Sequence, residues 1–380
     1  MIHRFTNGRV VTPGGSLYGA DITTDGDRIV AVGAVASGTQ ADAETDLADG
    51  WLMPGFIDTQ VNGGGGVLFN DAPTVDGIRA IGAAHAPFGT TGYLTTLISD
   101  DPDKIAQALD ATDTAIDQGV PGVLGVHIEG PFLNVARKGI HDASKFRRLD
   151  PEMIALLTRP RRGVVMLTLA PELADPADLR TLADAGVILS AGHTDATYEQ
   201  VGTALAAGLR GFTHLYTAMS PLMHRAPGVV GAALDDQTAW CGLIVDGAHL
   251  HPSVIRIALR ARPLDRFMLV TDAMPTVGMT DKRFLLGGRP IRVENGVCVN
   301  DDGTLAGCDL DMATAVRNLV HTTDTAPETA AAMAATNPAA FLRLSDDRGA
   351  LAPGLRADWV VLDADFTALA TVIGGESITG

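Results

Sequence analysis

The sequence has few cysteines, few aromatic residues and no long apolar run. Its 380 residues include three cysteines, and aromatic residues make up 5% of the chain. Cys241, Cys298 and Cys308 are odd in number and lack zinc-type spacing, so the sequence implies no disulfide framework. No apolar run is long enough to span a bilayer, and the N-terminal MIHRFTNGRV is too polar for a signal peptide. We therefore expect a cytoplasmic protein without a membrane partner.

Positive charge is also scarce. The chain has 28 Lys and Arg residues against 45 Asp and Glu residues, which gives a formal net charge of −17. A field of this sign argues against nucleic acid as a partner. It does not exclude an anionic small molecule, because a local cluster of arginine and histidine can override the global field. Hydrophobic residues make up 46% of the chain and charged residues 19%, which indicates a globular protein with a large core.

Apolar, β-type runs alternate with helical spacing from Trp51 onward. The runs are WLMPGFIDTQ, GYLTTLI, GVLGVHIEG, GVVMLTLAP, GVILSAGHT, GFTHLYTA, TAWCGLIVDG and RFMLVTDAM. Helical spacing lies between them, for example at residues 102–118, 176–185 and 196–207. Eight strands with intervening helices predict an α/β fold of the (β/α)₈ TIM-barrel type. A doubly wound sheet is the alternative, which periodicity alone does not exclude.

Both ends of the chain have a different pattern. Residues 1–50 and 345–380 contain short β-like segments with turn signals and no convincing helix. We expect these two ends to form one small β-sandwich, and residues 51–344 to form a catalytic barrel. The segment near residues 283–300 predicts a β-hairpin inserted after the eighth strand.

Candidate catalytic residues stand at the carboxyl ends of the predicted strands, where barrels of this type carry function. They are Gln60, Asn62, Glu129, His193, His214, Asp246, His249 and Asp272. Each alone is more simply explained as a polar strand end, but their joint appearance in successive units is not. His127 lies two residues before Glu129 and is explained equally well as a metal ligand or as a core residue.

One carboxylate and two imidazoles form the predicted metal site. Glu129, His193 and His214 supply a ligand set suited to zinc or ferrous iron. A divalent metal lowers the pKa of a coordinated water to about 7. Asp272 is then the natural general base, because an adjacent carboxylate can accept that proton.

Motifs spread over nearly the whole chain resemble the amidohydrolase superfamily, and within it the N-acetylglucosamine-6-phosphate deacetylase family. They are MPGFIDTQVNGGGG, HIEGPFLNVARKGIHD, SAGHTDATYEQ, THLYTAMSPLMHRAPG, DGAHLHP, LVTDAMPTVG, LAGCDLDMATAVRNLV and GALAPGLRADWVVLD. Many amidohydrolases have His-x-His where this chain has Gln60 and Asn62, and the resemblance implies that members with this replacement use one metal. Carboxamides are poor zinc ligands beside imidazole. We expect one divalent metal per chain, zinc or iron.

The resemblance also implies roles for residues that the spacing alone does not assign. His141 and His249 join Asp272 as catalytic or substrate-contacting residues, and Arg225 binds a phosphate. The remaining substrate-lining positions are Ile140, Thr217, Ala218, Leu305, Ala306 and Gly307. The family commonly has Asn where this chain has Thr217, which puts the sugar preference at that position in doubt. The resemblance further implies a homodimer whose interface completes the phosphate pocket.

The implied reaction is hydrolysis of the acetamide of N-acetylglucosamine 6-phosphate to glucosamine 6-phosphate and acetate. The first alternative is the same reaction on N-acetylgalactosamine 6-phosphate. A second alternative is a cyclic-amide hydrolase, which usually has the His-x-His pair that is missing here. A metal-free scaffold protein is a third alternative, although it would have no need of Glu129, His193, His214 and Asp272 together.

Overall fold

Eight parallel strands, each followed along the chain by a helix, form a barrel. The computed structural model describes residues 1–35, 38 and 40–379. Neighbouring strands in the barrel follow chain order. A bridge between Val61 and Ala273 joins the first strand to the segment after the eighth. This closure confirms the predicted (β/α)₈ fold and excludes the doubly wound alternative. The barrel strands, one to eight, are Phe56–Val61, Thr90–Ile98, Val123–Glu129, Val164–Leu169, Ile188–Ala191, Leu209–Phe212, Trp240–Leu243 and Phe267–Leu269.

The helices that cover the barrel begin where the sequence offers capping residues. Asp150 accepts a hydrogen bond from the backbone N–H of Met153, and Asp175 accepts one from Ala177. A proline follows each of these caps at a position where its missing N–H costs nothing. The helices are Val75–His85, Pro102–Asp117, Pro151–Leu157, Pro176–Asp184, Tyr198–Ala206, Gly228–Asp235, Pro252–Ala261, Met312–Thr323, Pro327–Ala331 and Asn337–Phe341. In the described part of the chain, none is long and apolar enough to cross a bilayer.

Strands from both ends of the chain pair in one eight-stranded sheet, which we call the terminal sheet. Phe5, Ile22, Leu52 and Trp359 are buried in its own apolar core, separate from that of the barrel. The exact limits of the two units, 1–50 plus 345–380 and 51–344, stay a prediction. The strands of the terminal sheet are Ile2–Thr12, Gly15–Asp25, Arg28–Gly33, Ala43–Asp46, Trp51–Pro54, Trp359–Leu362, Ala368–Ile373 and Glu376–Thr379.

The predicted run WLMPGFIDTQ is two strands in the structure. Trp51–Pro54 pairs with Trp359–Leu362 in the terminal sheet, whereas Phe56–Val61 starts the barrel. Gly55 separates them, and a Cβ atom at this position would lie 2.2 Å from the Thr91 side chain. The backbone therefore passes from one sheet to the other at a point where only glycine fits.

The predicted hairpin insert is larger than expected. It is a four-stranded antiparallel sheet whose strands are Arg283–Leu286, Arg289–Glu294, Val297–Val299 and Leu305–Cys308. Two tight turns set its register: Gly287 and Gly288 both have positive φ, as do Asn295 and Gly296. Two consecutive residues with positive φ are typical of type I′ hairpin turns. A hairpin has two strands, so the sequence does not predict the short strands Val297–Val299 and Leu305–Cys308. The second of these follows an irregular loop and borders the site described below.

The four consecutive glycines after the first barrel strand form a compact loop. Gly63–Gly64 pairs with Val67–Leu68, and the Gly63 carbonyl accepts a hydrogen bond of 2.9 Å from His85 Nε2. A Cβ atom at Gly63 would lie 2.4 Å from the carbonyl oxygen of Val67. The absence of side chains therefore lets this loop fold tightly behind Gln60 and Asn62.

Candidate active site

Three predicted metal ligands meet at the carboxyl end of the barrel. Glu129 is the last residue of the third strand, and His193 and His214 each stand two residues beyond the fifth and sixth strands. Both histidines have positive φ, 48° and 34°. This backbone conformation is uncommon for residues other than glycine. The strained strand ends thus bring side chains from three separate strands to one point.

The ligand atoms of these residues lie within contact of one another. Glu129 Oε1 is 3.2 Å from His193 Nε2 and 3.0 Å from His214 Nε2, and the two Nε2 atoms are 3.1 Å apart. All three side chains are buried. Burial alone would raise the pKa of Glu129, but the hydrogen bonds and charges of the two histidines hold it well below its usual range. Glu129 is therefore an anion facing two nitrogens.

The hydrogen bonding of His193 indicates what belongs between these atoms. Its Nδ1 atom lies 2.8 Å from the backbone carbonyl of Arg137, which only accepts, so Nδ1 carries a proton and Nε2 is the ring atom available to a metal. Nε2 faces the carboxylate of Glu129, and a cation between the two atoms would be bound by both. Residues of this type fit Zn²⁺ or Fe²⁺, and such a metal would supply Lewis-acid chemistry toward a water and a carbonyl.

Asp272 lies beside this cluster, held by the two carboxamides. Its Oδ1 atom accepts hydrogen bonds from Asn62 Nδ2 at 2.7 Å and from Gln60 Nε2 at 3.1 Å. Burial and the charge of Glu129 raise the pKa of Asp272. A carboxylate with a raised pKa is a better proton acceptor than an exposed one, which suits a general base.

The carboxamides Gln60 and Asn62 act as hydrogen-bond donors in this site. Gln60 Nε2 also lies 3.3 Å from each carboxylate oxygen of Glu129. A carboxylate anion only accepts, so the amide nitrogens and not the amide oxygens face the two acids. A metal ligand would have to present its oxygen instead. The residue pair therefore orients two carboxylates by donating hydrogen bonds to them.

His141 borders the same cavity as a neutral ring. Its Nδ1 atom accepts from the backbone N–H of Ser99 at 3.4 Å and lies 2.8 Å from the Ser99 hydroxyl. Burial, followed by the charge of His193, lowers the pKa of His141 to about 3. With Nδ1 occupied as an acceptor, the ring proton is on Nε2, and His141 is a donor suited to a developing oxyanion. Sequence reasoning missed Ser99, because a serine after a strand carries no distinctive signal.

His249 has the opposite tautomer. Its Nδ1 atom lies 2.6 Å from Asp246 Oδ2, so Nδ1 is protonated and Nε2 is left as an acceptor. Burial alone would raise the pKa of Asp246, but the hydrogen bond and charge of His249, together with the backbone hydrogen bonds from Ala248 and His249, lower that pKa. The ring lines the cavity that contains Asp272.

His127 is not part of the ligand cluster among the described residues. It is fully buried, with Nε2 2.7 Å from the Thr168 hydroxyl and Nδ1 3.2 Å from that of Thr96. Burial lowers its pKa to about 4. Of the two interpretations of His127, the structure favours a neutral core residue beneath the site.

Most of the predicted substrate-lining residues border one cavity with the metal cluster. They are Ile140, Thr217, Ala218, Leu305, Ala306 and Gly307, together with Asn62, Ile98 and Met274. Arg225 is the exception: it lies in an exposed loop and does not line the cavity. In the described ranges, no lysine or arginine borders this cavity. A phosphate bound there would need a cation from beyond the cavity wall.

The fold and the site together define a class of protein. A (β/α)₈ barrel with one carboxylate and two imidazoles at the carboxyl ends of its strands, beside a buried aspartate, is typical of metal-dependent hydrolases. The model of the Amidohydrolase family matches residues 51–378. The chain belongs to the amidohydrolase family.

Known proteins resemble the chain over most of its length. N-acetylgalactosamine-6-phosphate deacetylase from Shewanella sp. (strain ANA-3) is 44% identical, over 87% of this chain and 84% of that protein. N-acetylglucosamine-6-phosphate deacetylase from Mus musculus is 34% identical, over 99% and 95%. A solved structure of the Mycobacterium smegmatis N-acetyl-D-glucosamine-6-phosphate deacetylase, a variant in complex with N-acetyl-D-glucosamine-6-phosphate, has a TM-score of 0.91. It is 33% identical and covers 100% of this chain and 99% of that one. The similarity therefore extends to the whole fold.

Proposed function

We propose that the protein hydrolyses the acetamide of N-acetylglucosamine 6-phosphate, releasing acetate and glucosamine 6-phosphate. The observation that carries this proposal is the convergence of Asp272 with the Glu129–His193–His214 cluster in one cavity. The names of the relatives, all deacetylases of phosphorylated N-acetyl amino sugars, support the substrate class. One divalent metal per chain, zinc by the chemistry of its ligands, is part of the proposal.

Each group of the site has a role in this reaction. Asp272 accepts the proton of the attacking water and then gives it to the nitrogen of the leaving amine, since an amine anion is too poor a leaving group to depart unprotonated. His141 donates from Nε2 to the acetyl oxygen as negative charge develops there. His249 presents an acceptor that positions a sugar hydroxyl, and the backbone at Thr217, Ala218 and residues 305–307 lines the sugar.

The 6-phosphate is the substrate group for which the cavity itself offers no cation. We propose that Arg225 supplies it, as the predicted phosphate contact, from a neighbouring subunit of a homodimer. The loop 221–226 supports this idea, because it exposes Leu222 and Met223, which are 54% and 53% exposed. Apolar side chains beside an exposed arginine are typical of the core of a protein interface.

A second candidate substrate is N-acetylgalactosamine 6-phosphate. The relative with 44% identity carries that name, and Thr217 stands where the deacetylase family commonly has Asn. The two sugars differ at one hydroxyl, so a contact at residue 217 can decide between them. An enzyme discriminates strongly between two such sugars only when the binding of the wrong one leaves a buried polar group without a hydrogen-bond partner.

An assay of the purified enzyme against four substrates tests both proposals. The panel is N-acetylglucosamine and N-acetylgalactosamine, each with and without the 6-phosphate, with acetate release as the readout. We expect kcat/KM to be highest for N-acetylglucosamine 6-phosphate. A higher kcat/KM for the galactosamine epimer would favour the second candidate, and Thr217→Asn should then shift the ratio toward the glucosamine epimer. Release of acetate from none of the four would refute the proposed function.

A further inference from the structure

A second group of metal-ligating atoms lies beside the catalytic cluster. Asp246 Oδ2 and His249 Nδ1 are 2.6 Å apart, and Cys308 Sγ lies 3.4 Å from the first and 3.5 Å from the second. Asp246 and His249 come from the loop after the seventh barrel strand, and Cys308 ends the last strand of the insert. An oxygen, a nitrogen and a sulfur ligand from two separate segments therefore meet at one point.

The spacing of these atoms is close to what a tetrahedral metal requires. With bonds of about 2.0 Å to nitrogen and oxygen and about 2.3 Å to sulfur, pairs of ligand atoms around zinc are roughly 3 to 4 Å apart. Both distances to Cys308 Sγ fall in this range. The Asp246–His249 pair is closer because it shares a proton, and it would have to separate by less than about 1 Å. The spacing resembles that of Glu129, His193 and His214, which is 3.0 to 3.2 Å.

Charge favours a cation at this point. Cys308 is fully buried, and its thiol pKa is raised well above its usual value, first by burial and then by the carboxylates of Asp246 and Asp272. The same two carboxylates attract a divalent cation. The side chains of Asp246 and His249 are 2% and 3% exposed, so the atoms are also shielded from competing water. Cysteine with histidine and carboxylate suits Zn²⁺ and Cd²⁺ better than Mg²⁺ or Ca²⁺.

We propose that Asp246, His249 and Cys308 form a second metal site, selective for soft divalent ions such as Zn²⁺ and Cd²⁺, whose occupation inhibits the enzyme. On binding, the thiol proton leaves to solvent and the Nδ1 proton of His249 moves to Nε2. Its Nε2 atom thereby changes from an acceptor to a donor toward the cavity. Because a proton must leave and a hydrogen bond must break, this site is weaker than the catalytic one and fills only in excess metal.

The metal-binding part of this proposal does not depend on the substrate, whereas the inhibition part rests on the proposed function. A titration of the purified enzyme with Cd²⁺, followed by the ultraviolet thiolate-to-cadmium charge-transfer band, tests the first part directly. Glu129, His193 and His214 contain no sulfur, so Cd²⁺ bound there gives no such band. Cys298→Ser is the matched control, since Cys298 is also fully buried and its Sγ atom hydrogen-bonds with the Thr276 hydroxyl and not with Asp246 or His249.

We expect the band to saturate at one Cd²⁺ per chain in the unmodified protein and in Cys298→Ser, and to be lost in Cys308→Ser. A band that persists in Cys308→Ser, or is missing from the unmodified protein, overturns the site. If Cys308→Ser does not fold, a crystal of the unmodified protein soaked in Cd²⁺ tests the site instead. Its anomalous difference map should show a cadmium peak at bonding distance from Cys308 Sγ.

For the inhibition, the Zn²⁺ concentration that halves acetate release should rise about 10–100-fold in Cys308→Ser. If this Zn²⁺ concentration is unchanged in Cys308→Ser although the cadmium band is lost, the inhibition is refuted. The metal site itself then still stands.

Discussion

Asn62 Nδ2 donates a 2.7 Å hydrogen bond to Asp272 Oδ1, and Gln60 Nε2 reaches the same oxygen at 3.1 Å. Asp58, two residues before Gln60, binds the strand segment that precedes Asp272, because its Oδ1 atom accepts from the backbone N–H of Thr271 at 3.3 Å. The first and eighth barrel strands are thus joined by polar contacts at the point where the barrel closes. Asp272 Oδ1 thus accepts hydrogen bonds from the two amides, and Oδ2 remains for the reaction.

Removal of the Asn62 amide should therefore weaken catalysis without removing the metal. A hydrogen bond to a charged group contributes about 1.5–3 kcal/mol, so we expect Asn62→Ala to lower kcat about 10–100-fold. KM should change less, since the lost contact orients the base and not the substrate. Steady-state kinetics with elemental analysis of the same samples measures this. Asn337→Ala is the control: its buried amide donates to the backbone carbonyls of Leu264 and Phe267, outside the cavity. An equal loss of kcat in both variants would contradict the orienting role of Asn62.

Metal content should depend on the two imidazoles of the catalytic cluster. After removal of excess metal, we expect one divalent ion per chain in the unmodified protein and about none in His193→Ala or His214→Ala. His85→Gln should retain the metal, because His85 is a buried histidine whose Nε2 atom hydrogen-bonds with the Gly63 carbonyl and not with the metal cluster. Two tightly held metals per active chain would show that Gln60 and Asn62 do not prevent a second catalytic ion.

Much of this site could be predicted from the sequence because strand ends have a simple geometry. Parallel strands of a barrel place their carboxyl ends on one face, so Glu129, His193, His214 and Asp272 could be assigned to one site from the sequence alone. Residue type alone suggested that Gln60 and Asn62 would not bind metal. Their partners could not be predicted, since the same amides could have faced any neighbouring strand.

Other features depend on contacts that no local pattern encodes. The opposite tautomers of His141 and His249 are set by Ser99 and Asp246, and only the packing of the loops brings each pair together. The strand Leu305–Cys308 is four residues long, too short to give a clear alternation. Arg225 illustrates the limit of a motif, because its loop lies outside the cavity of its own chain and its role as a phosphate contact remains a proposal.

Arg225 should matter for the phosphorylated substrate only. At a net charge of −17 the chain repels an anion at long range, so the phosphate needs a local cation. Loss of a bidentate charged contact costs on the order of 2–5 kcal/mol. We therefore expect Arg225→Ala to lower kcat/KM severely for N-acetylglucosamine 6-phosphate and hardly at all for N-acetylglucosamine. Arg79→Ala, an exposed arginine on the first barrel helix, is the control. Equal losses of kcat/KM on the two substrates would indicate that Arg225 has a structural role and does not bind the phosphate.

Stability should fall in mild acid through His85. Burial lowers its pKa in the folded protein to about 4, whereas the unfolded chain binds a proton near pH 6.5. Below that pH the unfolded state holds the extra proton, so the contribution of His85 is complete above about pH 6.5 and is lost as the pH falls toward 4. His85→Gln can keep the hydrogen bond to Gly63 but does not titrate.

Chemical denaturation at pH 7.5 and pH 5 measures this difference. The free energy of unfolding of the unmodified protein should drop more between the two pH values than that of His85→Gln, by up to about 2 kcal/mol, at 1.36 kcal/mol per pH unit. An identical drop in both proteins would show that His85 does not contribute to the acid sensitivity.

We propose that Asp272, oriented by two amides beside a single metal, performs the proton transfers of acetamide hydrolysis. The most direct measurement is acetate release from N-acetylglucosamine 6-phosphate by the unmodified protein and by Asp272→Asn, each with its metal counted. We expect rapid release by the unmodified protein. We also expect at least about a 10²-fold lower kcat in Asp272→Asn, with one metal per chain in both samples. Near-normal turnover by a metal-loaded Asp272→Asn variant would show that another group transfers the protons.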